Sequence, residues 1–353
     1  MILILPQRKS GRQSEEAQRR YQGDLQSFCD RVKQIKCSLD LTPGSRGWCY
    51  ILEPEAGLRK SDFDKAQALI TQCRKDGLLP LDIVTEDGGR IFRNKENLDY
   101  EDVKQESKWR IDQLWNDYYP FSFWEDQDYY IQMLVEKVDL LVLFHPVCKE
   151  YHIPIGNAGG WADVSQRADM MVRFKEWEGY GKKCILLYCG DHDPAGLNIS
   201  DVLRSNLEDL SGAVGWDPAD LIIDRFGLNY DFIKSLNLTW IDNLITSRKD
   251  RNGKAQDLGD ERHPDHFKSY VQDYKQMMID HGEADWKKKC EANALIVRPK
   301  EGRDLCRETI HKYISKDSIE TYEASLKPHR VKLQRTIMAK LKKIVGVRER
   351  RQR

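Results

Sequence analysis

Cys184-Ile185-Leu186-Leu187-Tyr188-Cys189-Gly190-Asp191-His192-Asp193-Pro194-Ala195-Gly196 sets an unbroken apolar run directly against a short acidic turn. Such a run, with no polar alternation, is the pattern of a strand buried on both faces, as in a parallel sheet. Ile131-Gln132-Met133-Leu134-Val135 ends in the same way, on Glu136. In an open parallel α/β sheet, ligands bind in the crevice beyond the carboxyl ends of the strands. Two neighbouring strands of this kind would gather Glu136, Asp191 and Asp193 in one cleft. Crowded carboxylates raise each other's pKa unless a cation neutralises them, and an all-oxygen set with no adjacent Cys or His pair suits Mg²⁺, with Mn²⁺ as a substitute. Because Mg²⁺ binds phosphate oxygens, phosphoryl transfer is the expected chemistry.

Composition bounds the rest. A chain of 353 residues, 40% hydrophobic and 32% charged, belongs to the globular class and has room for two domains with cores. It carries 57 basic and 57 acidic residues, so a polyanionic partner must be met by local basic patches and not by a global field. The nine cysteines form no C-x-x-C pair and read as reduced thiols. The opening Met1-Ile2-Leu3-Ile4-Leu5-Pro6 is too short for a secretory leader, and no apolar run approaches a membrane span. A cytoplasmic, nucleoid-associated protein with no membrane contact is expected.

Periodicity divides the chain into three parts: residues 1–115, 116–326 and 327–353. In the first, Tyr21, Leu25, Phe28, Val32 and Ile35 make one amphipathic helix over residues 12–36. The turn Thr42-Pro43-Gly44-Ser45 leads into a short helix through Arg46-Gly47-Trp48-Cys49-Tyr50-Ile51-Leu52, stopped by Pro54 and Gly57. Ser61 is expected to cap a further helix, with Asp64 completing the box and Phe63, Ala66, Leu69, Ile70 and Cys73 as its apolar stripe. Leu81-Asp82-Ile83-Val84-Thr85 and Arg90-Ile91-Phe92-Arg93 flank Asp87-Gly88-Gly89, which predicts a β-hairpin. Helix, helix and hairpin in that order suggest a winged helix-turn-helix. A helix over residues 100–124 connects it to the second part, where strands alternate with helices as in βαβ units. Residues 246–266, polar and rich in Gly and Asp, read as a loop ordered on binding or a flexible insertion.

Three smaller signals have plain alternatives. Gly156-Asn157-Ala158-Gly159-Gly160 fits neither a Walker A loop nor a dinucleotide fingerprint and reads as a tight strand-to-helix turn. His263-Pro264-Asp265-His266 lacks the further ligands of a metal site and reads as a polar loop. His192 is a candidate phosphate contact or proton carrier, or else a solvated turn residue. The basic stretch containing Lys340, Lys342, Lys343, Arg348, Arg350, Arg351 and Arg353 has the composition of a DNA backbone contact, or of a solvated helix end. Arg59 and Lys60 are placed to orient the N-terminal domain on phosphates.

Val135-Glu136-Lys137, Gly159-Gly160-Trp161 with Arg167, and the block Gly190–Gly196, in that order and with Glu136 about fifty-five residues before Asp191, resemble the Toprim domain of the topoisomerase VI A subunit and its meiotic double-strand-break relatives. The small prokaryotic homologues are the nearest in pattern. Upstream, Arg46-Gly47-Trp48-Cys49-Tyr50 is similar to the family's R-x-x-Y-Y pattern, with Cys49 replacing the first aromatic. Cys73 to Pro80, the hairpin at Arg90, and Cys290-Glu291-Ala292-Asn293-Ala294-Leu295 continue the likeness.

The resemblance implies an α/β protein with an N-terminal winged helix, a Toprim domain and C-terminal helices. It also implies Mg²⁺ at Glu136, Asp191 and Asp193, Tyr50 as the nucleophile, and Arg46 on the scissile phosphate. Double-stranded DNA would be the substrate, contacted also by Arg59, Lys60, Arg90, Arg167, Lys342 and Lys343. A homodimer would cut both strands, and strand passage would need a separate ATPase subunit. A phenol with pKa near 10 needs a positive neighbour or a base, and Arg46 lies one helical turn from Tyr50. The alternatives are a hydrolytic nuclease that keeps the metal and drops Tyr50, which then packs in the core, and a non-catalytic DNA-binding subunit.

Overall fold

A computed structural model describes residues 5–7, 14–85, 99–158, 164–249 and 253–351; for residues 247 and 343–351 it describes the backbone alone. The chain divides into two compact units, one of residues 1–87 and 130–309, the other of residues 88–129 and 310–353.

The first unit opens with helix α1 (Glu15–Ser38), capped by the Ser14 hydroxyl and burying Leu25, Phe28, Cys29, Val32 and Ile35, the periodic face of the sequence. Helix α2 (Ser45–Ala56) continues through Pro54 and ends where Gly57 takes a left-handed backbone, φ 59°. Helix α3 (Phe63–Lys75) buries Phe63, Ala66, Ile70 and Cys73. Ser61 does not cap it. A 3-10 turn over Lys60–Asp62 precedes it instead, closed by the Asp62 carboxylate accepting the Arg59 N–H. The expected strand at Leu81 is a second 3-10 turn, Leu81–Ile83. Its Leu81 carbonyl, which a ladder would need, is taken by the Arg74 guanidinium, and Ile83 is drawn into the core where its carbonyl accepts the Trp48 indole N–H. The second arm of the expected hairpin, with Arg90, lies outside the described residues.

A four-stranded parallel sheet follows, in the order β2-β1-β3-β4. β1 (Tyr129–Val135) leads to α5 (Val138–Glu150), β2 (Ile155–Asn157) to α6 (Val164–Gly179), and β3 (Lys183–Cys189) through the acidic turn to α7 (Pro194–Leu197), α8 (Ile199–Glu208) and α9 (Ser211–Val214). β4 (Ile222–Gly227) closes the edge. β1 and β3 are almost wholly buried, the reason they read as continuous apolar runs. The chain winds one way from β1 to β2 and the other way from β3 to β4. The crevice between β1 and β3 is therefore the topological switch point where such sheets bind ligands.

Beyond β4 come α10 (Tyr230–Ser235), the antiparallel pair β5 (Ile245–Lys249) and β6 (Ala255–Asp257), α11 (Ser269–Asp280) and a 3-10 turn over Ala292–Val297. The described part of residues 246–266, expected as a loop ordered on binding or a flexible insertion, is held by packing within the chain. Leu244 and Leu258 are buried with Val271, Tyr274, Met278 and Trp286, and the Asp257 carboxylate accepts the N–H groups of Leu244 and Gly259. His263 and His266 are buried there, the latter bonded to the Leu258 carbonyl at 2.7 Å.

In the second unit α4 (Tyr100–Asn116) and α13 (Ser318–Arg351) are the main helices, with α12 (Pro299–Ile310) ending at its border. Tyr322 joins their connections by donating to the Phe121 carbonyl at 2.8 Å and meeting the Phe121 and Phe123 rings edge-on. The basic C-terminal stretch is helical through Arg351. Among the described residues no helix is long and apolar enough to cross a membrane.

Candidate functional site

The ends of β1 and β3 meet as neighbours. The Glu136 N–H donates to the Cys189 carbonyl at 3.0 Å, which fixes the first residue past β1 against the last residue of β3. Glu136 Oε2 accepts the Asp191 N–H at 2.7 Å. Gly190 makes this approach possible, since a Cβ there would stand 2.6 Å from Glu136 Oε2 and 2.7 Å from the Tyr188 hydroxyl.

Two of the three expected carboxylates converge on one positive charge, and that charge is a side chain of the protein. Lys137 Nζ lies 2.5 Å from Glu136 Oε1 and 3.0 Å from Asp191 Oδ2. Burial alone would lower the Lys137 pKa, yet Asp191 and Glu136 hold it above the usual lysine value. Asp191 Oδ1 accepts the Ala292 N–H at 2.8 Å. Desolvation, then the Glu136 charge, push the Asp191 carboxyl up to about 7. Asp193 caps α7 by accepting the Gly196 N–H at 2.6 Å, and burial raises its pKa too. Among the described residues no three His, Cys, Asp or Glu side chains stand close enough together to hold one metal ion. Glu136 and Asp193 do line a common cavity of about 460 Å³, together with Tyr188, Asn198, Leu203 and Tyr270. Arg225 of β4 buttresses the acidic turn from behind, donating to the carbonyls of Asp191 and Gly196 at 3.1 and 2.8 Å.

His192 is neither a phosphate contact nor a solvated turn residue in this arrangement. It is buried against the rings of Trp240 and Tyr274, its Nδ1 bonds the Leu228 carbonyl at 3.0 Å, and burial pushes its pKa down to about 4. Its backbone instead forms a bridge with Cys290, which sets Glu291 and Ala292 beside the acidic turn.

Tyr50 and Arg46 lie on the same face of α2, as their spacing requires. Both reach the carboxylate of Glu291. The Tyr50 hydroxyl donates to Oε2 at 2.8 Å, while Arg46 Nε stands 3.1 Å from Oε2 and Nη2 3.2 Å from Oε1. The Tyr50 ring packs edge-on against Phe63, and the residue is only 1% exposed. Burial, and then the Glu291 charge, drive the phenol pKa far above its ordinary value, so the proton is held. Lys60 is turned inward, its Nζ 3.8 Å from the Tyr50 ring centroid and 3.2 Å from Glu53 Oε2, and its side chain is 17% exposed. It is thus part of the tyrosine's surroundings and no longer a surface cation.

α2 is positioned from its start by Asp139, in the first turn of α5. This buried carboxylate accepts the N–H groups of Gly44 and Gly47 and the Asn293 amide, the last at 2.7 Å. A Cβ at Gly47 would lie 2.9 Å from Asp139 Oδ1, so the helix can approach this closely only with glycine there. Asp139, Glu291 and Asn293 were not singled out by sequence, although Glu291 and Asn293 lie in the Cys290–Leu295 stretch.

The remaining candidates are dispersed. Arg59 is exposed in the turn before α3. Arg167 bonds the Asn206 carbonyl at 2.9 Å and so ties α6 to α8. Lys342 is exposed on α13, and the side chain of Lys343, like Arg90, lies outside the described residues.

No protein-family model, no curated protein and no solved structure matches this chain.

Proposed function

We propose that the chain binds double-stranded DNA and cleaves its strands with a divalent cation, by transesterification onto Tyr50 in the manner of a topoisomerase VI A subunit. One observation carries this reading. Tyr50 and Arg46 bind Glu291, and the next residue, Ala292, binds Asp191, so the nucleophile pair and the strand-end acids meet on consecutive residues of one turn.

Glu136 and Asp191 fit a cation, since they already share one, and burial followed by the Glu136 charge keeps the Asp191 pKa raised. Mg²⁺ needs only one or two carboxylates when waters and substrate phosphates complete its shell, so this pair is sufficient, with Asp193 at the edge of the same cavity. Mg²⁺ or Mn²⁺ bound there would supply neutralisation of charge on the phosphate and the leaving oxygen. Arg46 holds and orients the phosphate through its planar fork. Tyr50 supplies the attacking oxygen. Arg59, Arg90, Arg167, Lys342 and Lys343 are the proposed backbone contacts, together with Lys60 if it leaves Glu53. A homodimer cuts both strands, and the exposed apolar residues Tyr100, Val103, Ile111 and Leu114 of α4 offer a surface for a second copy. Strand passage requires a separate ATPase subunit.

The burial of Tyr50 favours a second reading, hydrolysis by water at the same acids. Incubation of supercoiled plasmid with Mg²⁺ or Mn²⁺, followed by denaturant and peptide mapping, separates the two. The first reading expects a phosphotyrosyl adduct at Tyr50 that Tyr50→Phe abolishes. Undiminished cutting by Tyr50→Phe establishes hydrolysis, and tight DNA binding with no cutting under any metal leaves a non-catalytic binding subunit.

A further inference from the structure

Glu291 is the acid that Tyr50 and Arg46 share, and its placement is backbone-determined. The Cys290–His192 bridge holds it on one side and the Ala292 N–H to Asp191 on the other. Its Oε2 stands 2.8 Å from the phenolic oxygen, inside the roughly 2.6–3.2 Å window a proton acceptor requires. The cluster is not sealed: the Glu291 side chain is 18% exposed and that of Arg46 32%, so a phosphate can approach from the Arg46 side. A phosphate arriving there meets a guanidinium already occupied by an anion. We propose that Glu291 is the proton acceptor for Tyr50, and that an incoming DNA phosphate brings it into play by drawing Arg46 away from it.

This role rests on the tyrosine reading above. Despite burial, Arg46 and then Tyr50 hold the Glu291 carboxyl below its usual range, where it is a weak base. Once the guanidinium turns to the phosphate, the carboxylate loses its cation and keeps the phenol as partner. Its basicity rises at the moment the phosphorus comes within reach. The groups facing it are Arg46 and Tyr50 from α2, Lys60 from the turn before α3, and Lys289 and Cys290 from the segment just before it; Asp64 of α3 stands 3.9 Å from Arg46.

In the step, the phenolic proton passes to Glu291 Oε2 and an oxygen lone pair of Tyr50 forms the new bond to phosphorus. The bond from phosphorus to the deoxyribose oxygen breaks, the electron pair leaves with that oxygen, and the oxygen takes a proton from water. One phosphodiester replaces another and nothing is oxidised. In the reverse direction the protonated Glu291 returns its proton to the departing phenolate.

The test is single-turnover adduct formation on a duplex oligonucleotide with Mn²⁺, from pH 6 to pH 9, using the full chain. Wild type, Glu291→Gln, Glu291→Asp and Tyr50→Phe are compared, with melting temperature and DNA affinity measured for each. Glu291→Gln is expected to slow adduct formation by on the order of 10²–10⁴-fold at pH 7, the usual contribution of a general base. Its rate should climb about tenfold per pH unit as hydroxide takes over, while the wild type levels off. DNA affinity should stay equal or tighten, because Arg46 is released, and Glu291→Asp should recover part of the rate. A wild-type adduct with Glu291→Gln matching it in rate and pH profile overturns the role of Glu291 alone. Glu291→Gln faster than wild type at every pH does the same and makes the carboxylate only a competitor of phosphate. A wild-type chain that forms no adduct overturns the tyrosine reading, and this role with it.

Discussion

The acid cluster at the strand ends and the tyrosine cluster on α2 are both knots of carboxylates and cations, but their charge balance differs. Glu136 and Asp191 share the single ammonium of Lys137, while Asp193 feels those of Lys289 and Lys137 from further off. Glu291 and Glu53 have two partners, Arg46 and Lys60. In the first knot burial, and then the Glu136 charge, raise the pKa of Asp191. In the second each carboxylate has its own cation, Arg46 for Glu291 and Lys60 for Glu53. The acid knot thus divides one cation between two carboxylates, whereas the tyrosine knot gives one carboxylate, Glu291, both a cation and a phenol.

The comparison breaks most readily at Glu136. Glu136→Ala or Asp191→Asn should lower plasmid cleavage by on the order of 10²–10³-fold, comparable to losing one group that stabilises a charged transition state. Unchanged cleavage would remove the acids from the reaction. Next in size is Asp139→Ala, which strands the amides of Gly44, Gly47 and Asn293 in the interior. A loss of about 3 kcal/mol is expected from urea unfolding midpoints, at 1–3 kcal/mol per unsatisfied buried group. A loss below about 0.5 kcal/mol would mean those amides find water instead. Lys137→Met sharpens the contrast from the other side. With the internal competitor gone, Mn²⁺ should bind about tenfold tighter by calorimetry, since an ammonium this close opposes a second cation. Weaker binding would show that Lys137 organises the carboxylates and does not compete for them.

A third knot calibrates these two. Glu283 accepts from Tyr230, Lys234 and Lys288, and these bonds, that of Lys288 foremost, pull its pKa down to about 2. A carboxyl depressed in the folded state stabilises above its unfolded value, near 4.3, and loses that contribution as pH falls towards 2. Glu283→Gln should therefore flatten the stability-versus-pH curve between about pH 4 and 2 and cost about 1 kcal/mol at pH 7. An identical acid limb in the variant would assign that slope to other groups.

What was legible in the sequence follows from range. Strands β1 and β3 and their closing acids were readable because a doubly buried parallel strand states its burial residue by residue. Arg46 and Tyr50 share a face because four residues make roughly a helical turn. The partner they share could not be read, since Glu291 lies 241 residues beyond Tyr50 and comes there through a backbone bridge with His192. Lys137 was visible but mute, as a lysine after a strand-end glutamate is ordinary until its ammonium is seen between two acids. The failures at Ser61 and Leu81 are of another kind. Local propensity allowed a cap and a strand, but the chain before α3 closes a 3-10 turn through Asp62 and the Arg59 N–H, and Arg74 claims the Leu81 carbonyl.

Asp139 stands three positions beyond Glu136 in the chain, on the same turn that delivers the acid to the cleft. Its carboxylate grips the first turn of the helix that carries Tyr50. One carboxylate therefore rivets the end of β1 to the root of α2, so the two clusters share an anchor as well as a common wall.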